Sequence, residues 1–151
     1  MEVTTNGSNG SGAAYTSVPT DYNELISISK IWDGILFLSI SGFLDSTKAE
    51  SLITKSLEEI QRTDSPFMIV DISSVYAIDS SVAKHIFDLN KAASLMGCEC
   101  VISGFNATVA HSLVSMNVDF SAMKTRTTIQ QALRYCLNQN GYEIKEAVTL
   151  Q

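Results

Sequence analysis

The chain has 151 residues, of which 45% are hydrophobic, and a formal net charge of −6 at pH 7. This length suits one domain with a sizeable core, and the negative charge argues against nucleic acid or an anionic membrane as the main partner. No apolar run approaches the roughly 20 residues of a membrane span. The first residues lack the basic and apolar regions of a signal peptide. Three cysteines, an odd number, suit reduced thiols. We therefore expect a cytoplasmic protein.

The two ends of the chain differ in composition from its middle. Residues 1–22 are rich in Gly, Ser, Thr and Asn, and they bury too little apolar surface to offset the entropy of ordering. They predict a flexible N-terminal tail. Residues 23–140 form the predicted domain, and residues 141–151 form a predicted loose C-terminal tail.

The first half of the domain predicts a β-hairpin followed by a helix. Residues 25–30 alternate apolar and polar side chains, and residues 35–40 read as a second strand after a turn that contains glycine. Residues 45–47 open a helix, in which Thr47 and Glu50 have capping-box spacing. The helix carries apolar positions at helical spacing: Ala49, Leu52, Ile53, Leu57 and Ile60.

The middle of the chain predicts two further strands around a second helix. Residues 67–72 are almost wholly apolar, as in a strand that is covered on both faces. The second helix is expected from Ser80 to Met96, with Gly97 ending it. Another strand is expected at residues 98–103.

The sequence of the last third of the domain predicts two helices with a short extended segment between them. Asn106 or Thr108 caps the third helix, whose apolar positions are Val109, Leu113 and Val114. The extended piece is expected at residues 118–123. Thr128 and Gln131 repeat the capping-box spacing before the last helix. The order β-β-α-β-α-β-α-β-α predicts a single α/β domain, with a mostly parallel sheet of about five strands and about four helices.

The sequence offers little support for catalysis, metal binding or cofactor binding. Neither His85 nor His111 has a potential ligand at the spacing of a metal site, and Cys98 and Cys100 lack a second ligand pair. The glycine-rich motifs that hold nucleotides are absent. We therefore expect no catalytic residue, no metal and no cofactor.

The group Asp79-Ser80-Ser81 stands at the predicted start of the second helix. Backbone N–H groups of a first helical turn are unpaired, and the positive end of the helix dipole lies there. Such a place favours a phosphate, bound or covalent. A simple N-cap role explains the same residues. The sequence pattern leaves both interpretations open, and Ser112 on the third helix equally fits an exposed polar face.

Three segments resemble a known family. A strand ending in VDISSV, then AIDSSVAK, then a helix end and strand reading LMGCECVISG look like a STAS domain, the fold of sulfate transporters and anti-sigma-factor antagonists. The resemblance covers about residues 25–138. Many sigma-antagonist members have Gly directly after the Asp-Ser-Ser group, where this chain has Val82. That departure, with KIWDGILFLSI and AASLMG, resembles the RsbS proteins of the stressosome branch. RsbR proteins carry a folded sensory domain in place of the short tail.

The resemblance implies a non-catalytic stressosome scaffold and antagonist that regulates a stress-response pathway. Its implied partners are a serine kinase similar to RsbT and co-scaffolds similar to RsbR, in a large homo- and hetero-oligomer. Phosphorylation would fall on Ser80, with Ser81 as the fallback and Ser112 as a candidate second site, and would release the kinase. Asp79, Ser80, Ser81 and Lys84 would form the partner-binding surface. Two alternatives remain: an antagonist that binds an anti-sigma kinase one to one, and a STAS module that binds a small molecule.

Overall fold

A five-stranded mixed sheet with four helices is the framework of residues 26–148, the part of the chain that the computed structural model describes. In chain order the elements are β1 (Ser27–Trp32), β2 (Ile35–Phe43), α1 (Ser46–Thr63), β3 (Phe67–Ala77), α2 (Ser80–Leu95), β4 (Glu99–Ser103), α3 (Ala107–Ser115), β5 (Lys124–Arg126) and α4 (Ile129–Gln139). The strands lie side by side in sequence order, β1-β2-β3-β4-β5. Strand β1 is antiparallel to β2, and every other neighbouring pair is parallel. The predicted fold class is confirmed.

The structure describes only part of the predicted tails. Residues 1–22, and Leu25 of the predicted first strand, lie outside the described residues. Residues 141–148 form no helix or strand, although the backbone N–H of Tyr142 donates to the carbonyl of Leu137 at 2.8 Å. The domain boundaries stay a prediction.

The central strand β3 carries the core on both of its faces. All six residues from Phe67 to Ile72 are buried, as the apolar run predicted, and the strand continues to Ala77. Successive side chains of a strand point to opposite faces. Met68, Val70 and Ile72 thus join the larger core cluster with α1, α2 and α3, while Phe67 and Ile69 pack toward α4. Full burial of one such side chain stabilises the fold by about 1.5–3 kcal/mol.

Each helix begins at a side-chain cap, and the cap of α1 differs from the prediction. Asp45 has extended backbone angles, and its carboxylate accepts the N–H of Lys48 at 2.8 Å. Helix α1 therefore starts at Ser46, and Thr47 already lies inside it, so the predicted Thr47–Glu50 capping box is wrong. The predicted caps of the last two helices, Asn106 and Thr128, are confirmed.

The segment before β5 is another place where the sequence prediction fails. No strand forms at residues 118–123; the strand comes later, at Lys124–Arg126. The apolar signal has another cause, because the ring of Phe120 packs on Phe87, with ring centroids 4.8 Å apart. The prediction that Val114 belongs to the apolar face of α3 is also wrong, because its side chain is 79% exposed. The buried residues of α3 are Val109 and Leu113.

Candidate functional site

Three helix N-termini meet at the carboxyl edge of the parallel strands. The hydroxyl of Ser46, the first residue of α1, lies 2.8 Å from that of Ser81, the second residue of α2. The side-chain amide of Asn106, the cap of α3, donates to the carbonyl of Val75 on β3 at 3.1 Å. The positive ends of the helix dipoles and the unpaired N–H groups of the first turns therefore face one region. This edge of the sheet is suited to negative charge.

Asp79, Ser80 and Ser81 differ in what they do at this edge. The carboxylate of Asp79 caps α2 by accepting the N–H of Val82 at 2.8 Å, so its capping role is confirmed. The hydroxyl of Ser81 is engaged with Ser46. The hydroxyl of Ser80 is exposed and makes no hydrogen bond within residues 26–148. Of the two adjacent hydroxyls, that of Ser80 is therefore the one free to enter another protein's active site.

Lys84 lies one helical turn after Ser80, on the same face of α2. Its ammonium group forms an ion pair with the carboxylate of Asp88 at 2.7 Å. The hydrogen bond from Lys84 lowers the pKa of the Asp88 carboxyl. Lys84 is thus placed to contact a partner beside Ser80. To do so it must give up its ion pair with Asp88, which costs little because exposed ion pairs are weak.

Ser112 is held apart from this group. It lies in the second turn of α3, where its hydroxyl donates to the carbonyl of Thr108 at 2.9 Å. No hydrogen bond among the described residues joins it to residues 79–81. Its use as a second phosphorylation site stays a prediction.

A buried carboxylate that sequence analysis missed supports the carboxyl edge from below. Asp71 is only 3% exposed. It accepts hydrogen bonds from the hydroxyls of Ser73 at 2.6 Å and Ser103 at 2.9 Å, and the second bond ties the middle of β3 to the end of β4. Gly104 packs directly against this network. An acidic residue inside an apolar strand was the signal in the sequence, because a buried polar group requires such partners.

An exposed aromatic pair, also missed, borders the same edge. The side chains of Phe43 and Tyr76 are 67% and 65% exposed. Their rings meet edge to face, with centroids 5.6 Å apart. Phe43 ends β2 opposite Ala77 on β3, and Tyr76 precedes Ser80 by four residues. Sequence alone gave no reason to pair them, since they are far apart in the chain.

A cavity of about 540 Å³ lies at the opposite end of the sheet, where β4 begins. Its lining includes Glu99, Lys124 and Tyr135. The phenol of Tyr135 donates to the Glu99 carboxylate, and this hydrogen bond raises the pKa of Tyr135 to about 12. Within residues 26–148, no group of three His, Cys, Asp or Glu side chains is arranged to hold a metal ion. None of the helices described is both long and apolar enough to cross a membrane.

The fold is that of a STAS domain, and the model of the STAS domain family matches residues 28–132. The chain belongs to this family. Among curated relatives, it is 34% identical over 125 residues to the RsbT co-antagonist protein RsbRD of Bacillus subtilis (strain 168), covering 82% of this chain and 44% of that protein. It is 25% identical over 114 residues to RsbRA of the same organism, covering 76% of this chain and 42% of RsbRA. The chain thus spans less than half the length of these relatives.

Solved structures share the fold. A variant of RsbS from Moorella thermoacetica superposes with a TM-score of 0.66 at 24% identity, covering 76% of this chain and 97% of that one. A chain from the molecular architecture of the stressosome gives a TM-score of 0.64 at 24% identity, covering 76% of this chain and 99% of that one. At this level of identity the two comparisons establish the fold alone.

Proposed function

We propose that this protein is a non-catalytic, cytoplasmic scaffold and antagonist of the stressosome type, similar to RsbS. It binds a serine kinase similar to RsbT through the surface around Asp79, Ser80, Ser81 and Lys84, and it assembles with co-scaffolds similar to RsbR. Phosphorylation of Ser80 releases the kinase. The observation that carries the proposal is the free, exposed hydroxyl of Ser80 beside the engaged hydroxyl of Ser81. The relatives named as RsbT co-antagonists support the kinase as the partner.

The electrostatics of the site favour a switch that leaves the fold intact. A phosphoserine adds about −1.5 to −2 charges at pH 7. At the N-terminus of α2 the helix dipole favours such a charge by about 0.3–1 kcal/mol, and the carboxylate of Asp79 opposes it in part. These opposing effects are small, so the phosphorylated domain stays folded.

The docking surface changes far more than the fold does. Like charges brought together in an interface cost several kcal/mol, whereas a micromolar complex is held by only about 8 kcal/mol. Every 1.4 kcal/mol changes affinity about tenfold. A phosphate on Ser80 therefore weakens a micromolar complex by orders of magnitude, and the kinase dissociates.

Site-specific labelling tests the proposal. The wild-type protein and the variants Ser80→Ala, Ser81→Ala and Ser112→Ala are incubated with the cognate RsbT-type kinase and ATP, and phosphopeptides are identified by mass spectrometry. We expect Ser80→Ala to abolish labelling while circular dichroism stays unchanged, and Ser81→Ala to be labelled normally. Labelling that survives in Ser80→Ala and disappears in Ser81→Ala moves the site to Ser81. A wild-type protein that is neither bound nor labelled refutes the kinase partner.

A co-scaffold role similar to RsbR is the second candidate, and the 34% identity to RsbRD favours it. Binding to the kinase without any other STAS protein distinguishes the two roles, because an antagonist holds the kinase alone and a co-antagonist requires a second scaffold. Size-exclusion chromatography with an RsbR-like protein then separates both from an antagonist that binds one to one, since only a stressosome component enters a very large particle.

A further inference from the structure

We call Phe43 and Tyr76 the aromatic pair. This pair has the composition of a binding hot spot. Both rings are about two-thirds exposed and already touch each other. Aromatic side chains bring a large apolar contact area with few rotatable bonds, and they dominate the energetics of protein interfaces. The polar groups around the pair include the ammonium of Lys48, which donates to the Phe43 carbonyl at 2.9 Å. An apolar centre with polar surroundings is the usual anatomy of an interface.

The distance from the aromatic pair to Ser80 is short on the scale of an interface. Phe43 lies opposite Ala77 in the register of β2 and β3, and neighbouring strands are about 4.8 Å apart. Three peptide steps of about 3.8 Å each separate Ala77 from Ser80. The Cα atoms of Phe43 and Ser80 are therefore within about 16 Å of each other. A typical interface covers about 800 Å² per partner, a disc of about 16 Å radius. A protein centred on Ser80 thus reaches the pair.

We propose that Phe43 and Tyr76 are the apolar anchor by which the serine kinase docks on the domain before it phosphorylates Ser80. This inference rests on the proposed function and adds the residues that give the kinase its affinity. The position of the pair favours the kinase over a co-scaffold as occupant. A scaffold protein seated permanently on the pair would cover Ser80 as well, and the kinase could not reach its substrate. Contacts between scaffolds therefore lie on other faces of the domain.

The same arrangement explains how the anchor is released. The kinase buries the aromatic pair and excludes water from its surroundings, and a phosphate on Ser80 lies inside that dry footprint. Because desolvating a charge is costly unless it is paired, the phosphate acts against the apolar contact itself. The proposed anchor, Phe43 and Tyr76, and the phosphorylation site, Ser80, therefore belong to one docking surface.

The chain offers a matched control for the test. Trp32 and Tyr142 form a second edge-to-face pair, with centroids 5.5 Å apart and side chains 46% and 43% exposed. Trp32 ends β1, at the other end of the sheet from Ser80. Truncating this pair removes comparable aromatic surface without touching the proposed anchor.

The experiment measures kinase affinity by isothermal titration calorimetry for the 151-residue chain and its variants. Phe43→Ala and Tyr76→Ala are each expected to weaken binding about 30-fold, and the Trp32→Ala/Tyr142→Ala double variant is expected to bind within threefold of wild type. At saturating protein, labelling of Ser80 should proceed at the wild-type rate, because the anchor acts on the KM for the protein substrate. The size of the particle formed with an RsbR-like protein should not change, and circular dichroism verifies folding.

Three results overturn the inference. Kinase affinity that is unchanged in Phe43→Ala and Tyr76→Ala removes the anchor role while leaving Ser80 as the phosphorylation site. A smaller particle with unchanged kinase affinity assigns the aromatic pair to contacts between scaffolds. A wild-type protein that neither binds nor is labelled by the kinase removes the proposed function, and the anchor with it.

Discussion

Replacement of Gly104 by alanine is the sharpest test of the packing beneath the candidate site. Gly104 follows β4 with φ +82°, and a Cβ built there would lie 2.7 Å from the Asp71 carboxylate and 2.8 Å from the backbone nitrogen of Ser73. Approaches under 3 Å require something to move. Here the neighbours are backbone and a carboxylate held by two hydroxyls, so they have little freedom to do so.

The expected loss of stability has two parts, and Gly97 isolates the first. An L-residue with positive φ costs about 1–2 kcal/mol, and replacing glycine returns about 0.4–1 kcal/mol through the unfolded chain. Gly97 also has positive φ, +79°, but nothing lies within 4 Å of its built Cβ. Gly97→Ala should therefore cost about 1 kcal/mol. Gly104→Ala adds overpacking of about 1–3 kcal/mol, for a total of roughly 2–4 kcal/mol.

Urea unfolding followed by circular dichroism measures both variants. With a slope of about 1.5 kcal/mol/M, the midpoint of Gly104→Ala should fall below that of Gly97→Ala by about 0.7–2 M. Equal midpoints would show that the contact with Asp71 and Ser73 is relaxed at little cost, and that the carboxyl edge is softer than the distances indicate.

Three further predictions concern other parts of the fold. The pKa of Tyr135 is raised to about 12, so its hydrogen bond to Glu99 stabilises the fold fully below about pH 10 and less as pH approaches 12. Urea unfolding at pH 9 and 11.5 should therefore show a larger loss of stability in wild type than in Tyr135→Phe. Asn106→Ala should cost about 1–2 kcal/mol, and Asn106→Asp less, because Asp keeps the cap but loses the donor to Val75. Burial raises the pKa of Cys136 to about 12, so Ellman's reagent at pH 8 should modify it only after unfolding.

The strands and helices could be predicted because local patterns decided them. The apolar run at Phe67–Ile72 admits few alternatives to a buried strand, and Asn106 and Thr128 cap helices by contacts only three residues long. At residues 118–123 the prediction failed because a tertiary contact replaced a local one. The apolar side chain of Phe120 packs on the rings of Phe87 and Phe105, which leave it half-buried, and it is not part of a strand.

Part of the candidate site could likewise be predicted from the sequence, and part could not. Asp79, Ser80 and Ser81 were found from the start of a helix and from the resemblance to STAS domains. What distinguishes the two serines is the bond from Ser81 to Ser46, and those residues are 35 positions apart in the chain. No pattern in a single sequence reports such a distance. The aromatic pair was missed for the same reason, since only the register of β2 against β3 brings it together.

The shortness of β5 matters for a domain proposed to work in a crowded assembly of its own kind. Open sheet edges can join to one another, and many copies held close together raise that hazard. This edge offers only three residues, and two of them are Lys124 and Arg126, whose cations lie over the ring of Tyr135. At the other described edge, β1 carries Lys30 and an irregular register. Both features discourage strand addition, so neighbouring copies can stand close together without their sheets fusing.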